Sequence, residues 1–302
     1  MIKMELAPII LFAYNRPIHL QKTIENLKNN TLAINSKVYF FSDAPKNESD
    51  NSLVKEVRNL LHQVKGFREV EIIEQSNNKG LATSVIDGVT QIINTYEKVI
   101  VLEDDLVVSS NFLKYQNDCL IKYKEKSDVF SIAGYMPPIQ IPNYIEDDVF
   151  LIPRCSSWGW ATWKDRWLKS DWEVKDFQDF IKDKEKQKMF ERGGNDVTAM
   201  LVKQQLGVIH SWAIRWNYAH FKHNAYCLYP RFNKVANIGT DGSGTNFPKE
   251  VKKYITSITE RDYHLPDNLF YDASNEVVKN FKKFYNVSLY RKCINFLKYQ
   301  IW

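Results

Sequence analysis

The sequence lacks any hydrophobic run long enough to cross a membrane, since its first apolar segment, residues 8–13, is too short for a membrane span or a signal peptide. Cysteine is also scarce, and the four cysteines are scattered without metal-ligand spacing. Few, scattered cysteines are typical of proteins from a reducing compartment. These absences predict a cytoplasmic protein without a cysteine-based metal site.

A glycine-rich phosphate loop is missing after the first predicted strand, where residues 14–17 read Tyr-Asn-Arg-Pro. This absence disfavours nucleotidyl transfer, which also uses a metal-bound nucleotide on an α/β sheet but normally shows such a loop. No recognised nucleic-acid-binding motif accompanies the formal net charge of +5, so we expect no nucleic-acid partner. Core material is abundant: 44% of the 302 residues are hydrophobic and 14% aromatic, enough for one large domain with a tail.

Apolar runs alternate with helical spacing through the first half of the chain. Strands are predicted at residues 8–13, 37–41, 69–73 and 99–102, and helices at residues 19–27, 52–64 and 81–96. Such alternation is typical of a mostly parallel α/β sheet with helices on both faces. The second half is less regular, with a strand predicted at residues 129–133. We expect one domain over residues 1–260, divided into halves 1–125 and 126–260, followed by a helical tail over residues 261–302.

The predicted strand at residues 99–102 ends in three consecutive acids, Glu103, Asp104 and Asp105. Open α/β sheets bind their ligands in the crevice beyond the carboxyl ends of the strands. Adjacent carboxylates repel one another, and a hard cation such as Mg²⁺ or Mn²⁺, shared with substrate phosphates, removes that conflict. The two-residue period of a strand sends Glu103 and Asp105 to one side and Asp104 to the other, which predicts separate roles. The alternative is a solvated acidic turn.

Polar residues also end the other predicted strands of the first half. Asn15 and Arg16 follow the first strand, Asp43 follows the second, and residues 77–80 follow the third. Each has an ordinary structural explanation: Arg16 as a surface charge at a helix start, Asp43 as an Asx-turn residue, and Gly80 as a turn glycine. Their shared position at strand ends nevertheless predicts a nucleotide-binding crevice.

A set of motifs follows in a fixed order along the chain: AYNRP at residues 13–17, SDA at 42–44, NKGL at 78–81, LEDDL at 102–106, SWGWATW at 157–163, SWAIRW at 211–216 and NIGTDGSG at 237–244. In order and spacing this set resembles the GT-A nucleotide-sugar glycosyltransferases, close to family 2 and to the N-acetylglucosaminyltransferase I type. The resemblance spans roughly residues 5 to 250. It implies a GT-A fold and a metal-dependent, inverting transfer of a hexosyl or N-acetylhexosaminyl group to a glycan. Residues 1–125 would bind the nucleotide sugar and residues 126–260 the acceptor.

The resemblance also implies roles for individual residues. Asp105 matches the acid that holds Mn²⁺ or Mg²⁺ on the donor diphosphate. Asp104 would contact ribose and sugar hydroxyls, and Glu103 the donor sugar. Asp43 matches an acid that accepts the uracil imide proton, so the expected donor is a uridine diphosphate sugar. The expected donor-binding residues are, in full, Asn15, Arg16, Asp43, Lys79, Gly80, Glu103 and Asp104.

The catalytic base is where the chain departs from the family pattern. Inverting transfer needs a group that deprotonates the acceptor hydroxyl, and relatives use an acid just before a Trp. Here the matching position holds His210, which can also act as a base near neutral pH. Asp241, in the glycine-rich segment at residues 239–244, is the alternative base. Asn246 stands where relatives often have a metal-binding His, so a catalytically silent sugar- or nucleotide-binding protein on the same fold is the competing interpretation.

Two further features concern the second half. Gly159 and Trp160 are candidates for sugar contact, because a Trp face stacks on sugar rings, although Trp more often packs in a core. Residues 175–192 predict one charged helix, and Asp196 is expected to cap the helix that follows it.

The tail carries charge of one sign. Residues 277–302 contain six Lys or Arg and no acid, with apolar residues on one helical face. This pattern is typical of a helix lying on an anionic membrane surface, which would suit an enzyme that extends a lipid-linked surface polysaccharide on the inner face of the membrane. A helix docked on its own domain or on a partner subunit is the alternative.

Overall fold

The computed structural model describes residues 5–242, 252–269 and 271–299, without the side chains of residues 271–274. Ten strands are described: β1 (Ile9–Ala13), β2 (Lys37–Ser42), β3 (Glu69–Glu74), β4 (Lys98–Glu103), β5 (Leu106–Val108), β6 (Val129–Ala133), β7 (Val149–Ile152), β8 (Trp160–Trp163), β9 (Tyr226–Pro230) and β10 (Val235–Asn237). Eight of them form one sheet in the order β3-β2-β1-β4-β8-β6-β9-β7, and β10 pairs with β5 in a second sheet.

The helices are α1 (Pro17–Lys28), α2 (Asn51–Leu61), α3 (Leu81–Tyr96), α4 (Phe112–Lys122), α5 (Lys164–Trp167), α6 (Phe177–Lys182), α7 (Lys184–Phe190), α8 (Val197–Gln205), α9 (Trp212–Lys222), α10 (Tyr271–Tyr285) and α11 (Leu289–Tyr299). Short 3-10 helices cover Ala33–Asn35, Glu48–Asp50, Glu191–Gly193 and Lys252–Tyr254.

The large sheet is mostly parallel, as predicted. The β1, β2, β3 and β4 strands run in the same direction, β6 and β9 are parallel to each other, and β8 and β7 run antiparallel to their neighbours. Helices cover both faces, in agreement with the GT-A arrangement that the motifs imply. The predicted fold class is therefore confirmed.

The core follows the alternation of side chains along the strands. In β1, Ile9 and Leu11 pack with α1, α2 and α4 on one face, and Ile10 and Phe12 pack with α3 and α9 on the other. Because both faces are covered, these strands are continuously apolar, which is why their positions can be read from the sequence.

Two local predictions in the second half are wrong. The single helix over residues 175–192 is instead α6 and α7, which are divided at Asp183, and the Asp183 carboxylate accepts the Lys186 N–H at 2.9 Å as the cap of α7. Asp196 precedes α8 but does not cap it, because both of its carboxylate oxygens accept hydrogen bonds from Arg154, at 2.7 and 2.9 Å. The charge-assisted hydrogen bonds to Arg154 hold the Asp196 carboxylate away from the N-terminal N–H groups of α8.

Candidate functional site

The strand order places a crevice between β1 and β4. The chain runs from β1 outward to β2 and β3, and then returns to place β4 on the other side of β1. This reversal is a topological switch point, where loops leave neighbouring parallel strands in opposite directions and open a cleft at their carboxyl ends. Phe12 pairs with Glu103 in the last register of β1 and β4, so the two loops that follow face each other across the cleft.

Arg16 joins the two loops. It is the residue before α1, and its guanidinium forms ion pairs with the Asp104 and Asp105 carboxylates, the second at 2.9 Å from Nη1 to Oδ2. The Tyr14 N–H also donates to Asp104 at 3.3 Å, and the Thr23 hydroxyl donates to the Asp104 carbonyl oxygen at 2.9 Å. The loop after β1 and the helix after it are thus fixed to the acids after β4.

The expectation that Asp104 points away from Asp105 is wrong. The β4 strand ends at Glu103, and Asp104 and Asp105 form a turn before β5. Outside the strand the two-residue alternation no longer holds, so both carboxylates reach the same guanidinium. The two acids share an environment.

The acids carry more negative charge than Arg16 can balance. Burial raises the pKa of Glu103 to about 8, and the charges of Asp105 and Asp104 raise it further. Burial raises the pKa of Asp104 to about 6 against the opposing effect of Arg16, and Asp105 adds to the rise. Burial of Arg16 lowers its pKa, but the charges of Asp104 and Asp105 outweigh this effect and raise the pKa above its ordinary value. A pKa of about 8 keeps Glu103 mostly protonated at neutral pH, whereas Asp104 and Asp105 together bring two carboxylates to one guanidinium, which leaves one negative charge when both are ionised.

The segment after β10 closes the other side of Asp105. The Ile238 N–H donates to the Asp105 carbonyl oxygen at 2.9 Å, and the Asn237 amide lies 3.4 Å from the carboxylate. A Cβ added at Gly239 would lie 2.2 Å from Asp105 Oδ2 and 2.8 Å from Arg16 Nη1, so only glycine allows this approach. Two residues on, Asp241 pairs with His19 on α1, 3.1 Å from Oδ2 to Nε2.

Sequence reasoning missed His19. Its position was the available signal, because it lies three residues after Arg16 and therefore on the same side of α1. The structure thus brings Arg16, Asp104 and Asp105 together, and pairs Asp241 with His19 on the helix that follows Arg16.

Asp43 organises the turn that precedes α3. Its carboxylate accepts three backbone N–H groups, from Ala44, Lys79 and Gly80, each at 2.9 Å. Gly80 has a φ of 72°, which favours glycine at that position. The Lys79 ammonium points along α3 to Asp87, at 2.8 Å, so only its backbone faces Asp43.

Asn15 is also engaged within the protein. Its amide donates to Asp50 at 2.8 Å, and the Tyr14 hydroxyl donates to the other oxygen of the same carboxylate at 2.8 Å. Asp50 was not among the predicted site residues. These contacts hold the loop after β1 against the short helix Glu48–Asp50.

Trp160 cannot stack on a sugar, and that interpretation is corrected. Its side chain is fully buried, with 0% exposure, and its ring stacks against Trp167 and Trp212. Gly159 is buried beside it, with no room for a Cβ against Val235.

The neighbouring Trp158 stays partly exposed on this edge of the sheet. Its ring meets Tyr135 edge-on at 4.5 Å and lies 5.9 Å from Tyr254. It precedes β8, which runs antiparallel to β4, so it lies at the same edge as the acids.

His210 lies on the surface before α9. The Ser211 side chain caps that helix by accepting the Ile214 N–H at 3.3 Å, and Trp212 anchors it on Trp160. Within the residues that the structure describes, His210 makes no hydrogen bond or ion pair with the acids of the cleft. Asn246 lies outside the described residues.

No family model matches the chain, and no curated protein sequence matches it. Solved structures that are similar include TarS residues 1–349 from S. aureus, 11% identical over 74% of this chain and 60% of that one, with a TM-score of 0.37. A longer S. aureus TarS structure is 15% identical over 50% of this chain and 22% of that one, with a TM-score of 0.29. The mannosyltransferase PcManGT from Pyrobaculum calidifontis, in complex with GDP-Man and Mn²⁺, is 11% identical over 54% of this chain and 46% of that one, with a TM-score of 0.34.

The chain spans less than two thirds of the length of each of these proteins. The chemistry of the cleft has to be inferred from its own residues.

Proposed function

We propose that the protein is a glycosyltransferase that moves a sugar from a nucleotide donor to a glycan acceptor in surface polysaccharide synthesis. The observation that carries this proposal is the meeting of Arg16, Asp104 and Asp105 at the switch point between β1 and β4. Ligands of open α/β sheets bind at this point, and the motifs at residues 13–17 and 102–106 add the resemblance to nucleotide-sugar enzymes.

A divalent cation fits the cleft. The donors on Asp104 and Asp105 are hard carboxylate oxygens, and the two carboxylates exceed by one the positive charge that Arg16 supplies. Among the described residues, no group of three or more His, Cys, Asp or Glu side chains could hold an ion alone. Mg²⁺ and Mn²⁺ are commonly held by one or two carboxylates together with substrate phosphates, so we assign Asp105 as the protein ligand. The ion would stabilise the charge of the departing nucleoside diphosphate.

Arg16 has two functions in this proposal. It holds the two carboxylates in place, and its planar guanidinium suits the oxygens of a diphosphate. Its position before α1 directs it into the cleft.

A uridine nucleotide is the proposed donor because of Asp43. An ionised carboxylate has about four lone-pair sites, and backbone N–H groups take three of them here. The remaining site can accept the imide proton of uracil. Gly80 and the Lys79 backbone form the adjacent wall of this pocket.

For the proton of the acceptor hydroxyl, we propose Asp241 or His210 as the base. Asp241 lies in the segment that contacts Asp105 through Gly239, and its carboxylate is half exposed. His19 beside it would hold the carboxylate in orientation. Trp158, rather than Trp160, is the proposed aromatic contact for the acceptor.

Calorimetry with a panel of nucleoside diphosphates, with and without Mn²⁺, tests this proposal. We expect metal-dependent binding that is strongest for the uridine nucleotide and absent in Asp105→Ala. Asp267→Asn is the matched control, because its side chain is 93% exposed and lies outside the cleft. If no nucleotide binds the wild-type protein, the proposal is wrong. If nucleotides bind but no donor sugar is hydrolysed or transferred, the chain is a silent binding protein.

A further inference from the structure

The last described helix, α11, has its apolar side turned outward. Leu289, Tyr290 and Leu297 are 72%, 76% and 80% exposed, and Cys293 between them is also exposed. By contrast Asn295, a polar residue, is only 4% exposed. A surface helix of a globular protein ordinarily buries its apolar side and exposes its polar one, so α11 is inverted.

The exposed residues form one stripe. Leu289, Cys293 and Leu297 are spaced by four residues and therefore lie above one another on the helix, with Tyr290 beside them. We call Leu289, Tyr290, Cys293 and Leu297 the α11 stripe.

The preceding helix, α10, behaves differently. Its Val277 and Phe281 are fully buried, and the Phe281 ring meets Tyr229 of β9 at 4.9 Å. The Arg154 guanidinium lies 3.7 Å from the ring of Tyr285 at the end of α10. This part of the tail is docked on its own domain, whereas α11 presents apolar side chains outward.

The position of α11 is fixed by α8. The Val287 N–H donates to Asn195 at 2.8 Å before both helices begin, and Lys203 lies 5.2 Å from the Tyr299 ring near their ends. The two helices therefore run side by side in the same direction. Just beyond α8, Leu206 and Val208 are 57% and 51% exposed, so apolar surface continues toward the segment that leads to α9.

Exposed cations lie on the same helix as the α11 stripe, since Arg291 and Lys298 are both exposed and Lys298 directly follows Leu297. On α8, burial lowers the pKa of Lys203, and the charges of Arg291 and Lys298 lower it further. No Asp or Glu occurs between residues 277 and 302. A symmetric dimer through this face would place these cations against their own copies, which disfavours self-association.

We propose that the α11 stripe binds the surface of an anionic lipid bilayer, with α11 lying in the plane of the interface. Exposed apolar residues and exposed cations on one helix supply the two attractions by which such helices bind. The helix is too short to cross, because its eleven residues extend about 16 Å against about 30 Å of hydrocarbon. Within the part of the chain that the structure describes, no helix has the length and hydropathy of a membrane span. The inference does not depend on the transferase proposal.

Vesicle flotation of the full chain is the first test. We expect binding to vesicles of phosphatidylcholine with phosphatidylglycerol, weakened by salt, and little binding to phosphatidylcholine alone. Leu289→Gln with Leu297→Gln should weaken binding about tenfold or more, and Arg291→Gln or Lys298→Gln about fivefold each. Leu168→Gln is the control, because Leu168 is 54% exposed but lies before α6 rather than in the tail. Unchanged flotation of the double variant would overturn the proposal.

A probe on Cys293 gives a second, independent measurement. Cys119 and Cys227 are buried, and burial raises the pKa of the partly exposed Cys155 thiol, so an environment-sensitive fluorophore should label the exposed Cys293 preferentially, and Cys293→Ser is the labelling control. Anionic vesicles should shift its emission to the blue, since the label would leave water. Absence of a blue shift would overturn the membrane assignment. A wild-type dimer in the absence of vesicles that becomes monomeric in the Leu289→Gln, Leu297→Gln variant would also overturn it, and would identify a second copy of the chain as the partner.

Discussion

Nη1 of Arg16 lies 2.9 Å from Oδ2 of Asp105, joining the loops that leave two neighbouring parallel strands. The same guanidinium contacts Asp104, so one positive charge serves two mostly buried carboxylates. Removal of one partner from such a cluster leaves buried charge without compensation. The stability of the cleft without a metal ion therefore depends on Arg16.

Arg16→Gln should lower the free energy of unfolding by about 3 kcal/mol in the absence of divalent cations. Mn²⁺ should restore part of this loss, because it would supply the missing positive charge to Asp104 and Asp105. Thermal unfolding with and without Mn²⁺ measures both effects. Arg68→Gln, at an exposed arginine before β3, should change neither. An equal response to Mn²⁺ in all three proteins would contradict a cation site at these acids.

Gly239→Ala should impair metal-dependent nucleotide binding more than it impairs folding. The added Cβ would overlap Asp105 Oδ2 at 2.2 Å, so the carboxylate or the segment after β10 must move. Gly207→Ala is the contrast, since its Cβ would meet nothing within 4 Å but its φ is 69°. That variant should lose about 1 kcal/mol of stability and keep its affinity. Normal nucleotide affinity in Gly239→Ala would mean that this approach has no part in binding.

Asp43→Asn distinguishes two roles of Asp43, stabilisation of the turn before α3 and recognition of the uracil base. Loss of a charged acceptor for three backbone N–H groups should cost about 2 kcal/mol of stability. If Asp43 also accepts the uracil imide proton, the preference for uridine diphosphate over other nucleoside diphosphates should fall in competition calorimetry. Asp87→Asn, which removes only the exposed partner of Lys79, should keep that preference. An equal loss of affinity for every nucleotide would show that Asp43 stabilises the turn and does not recognise the uracil base.

The first half of the fold could be predicted because its inner strands, β1, β2 and β4, are buried on both faces. Runs such as β1 and β4 are apolar at nearly every position, and the helices between them show a clear apolar period. The polar residues after each strand then follow from the parallel topology, so Arg16 and Asp105 could be predicted to lie near each other.

The remaining features depend on partners far along the chain. The burial of Trp160 is decided by Trp167 and Trp212, and no local pattern distinguishes a core indole from a sugar-binding one. The direction of Asp104 depends on where β4 stops hydrogen bonding. For α11, the sequence shows an apolar side but not which side faces the domain, because that depends on its contacts with α8.

His220 is a buried titratable group outside the candidate site. It is 1% exposed, its Nδ1 lies 2.8 Å from the Trp216 carbonyl oxygen and its Nε2 lies 2.8 Å from the Ser131 hydroxyl. Burial lowers its pKa from 6.5 to about 4, and the nearby His223 contributes to the same direction. The folded protein therefore holds this imidazole neutral.

His220 should make the protein less stable in mild acid. Between pH 6.5 and about 4 the unfolded chain binds a proton at His220 and the folded chain does not. The free energy of unfolding therefore decreases as the pH falls through this range, and the contribution of His220 is present in full above pH 6.5. The full effect is about 3 kcal/mol. Urea unfolding at a series of pH values should show a flatter dependence for His220→Gln than for the wild-type protein, whatever the loss of packing at neutral pH. The exposed His62→Gln should retain the wild-type slope, and a wild-type slope in His220→Gln would show that other groups cause the acid sensitivity.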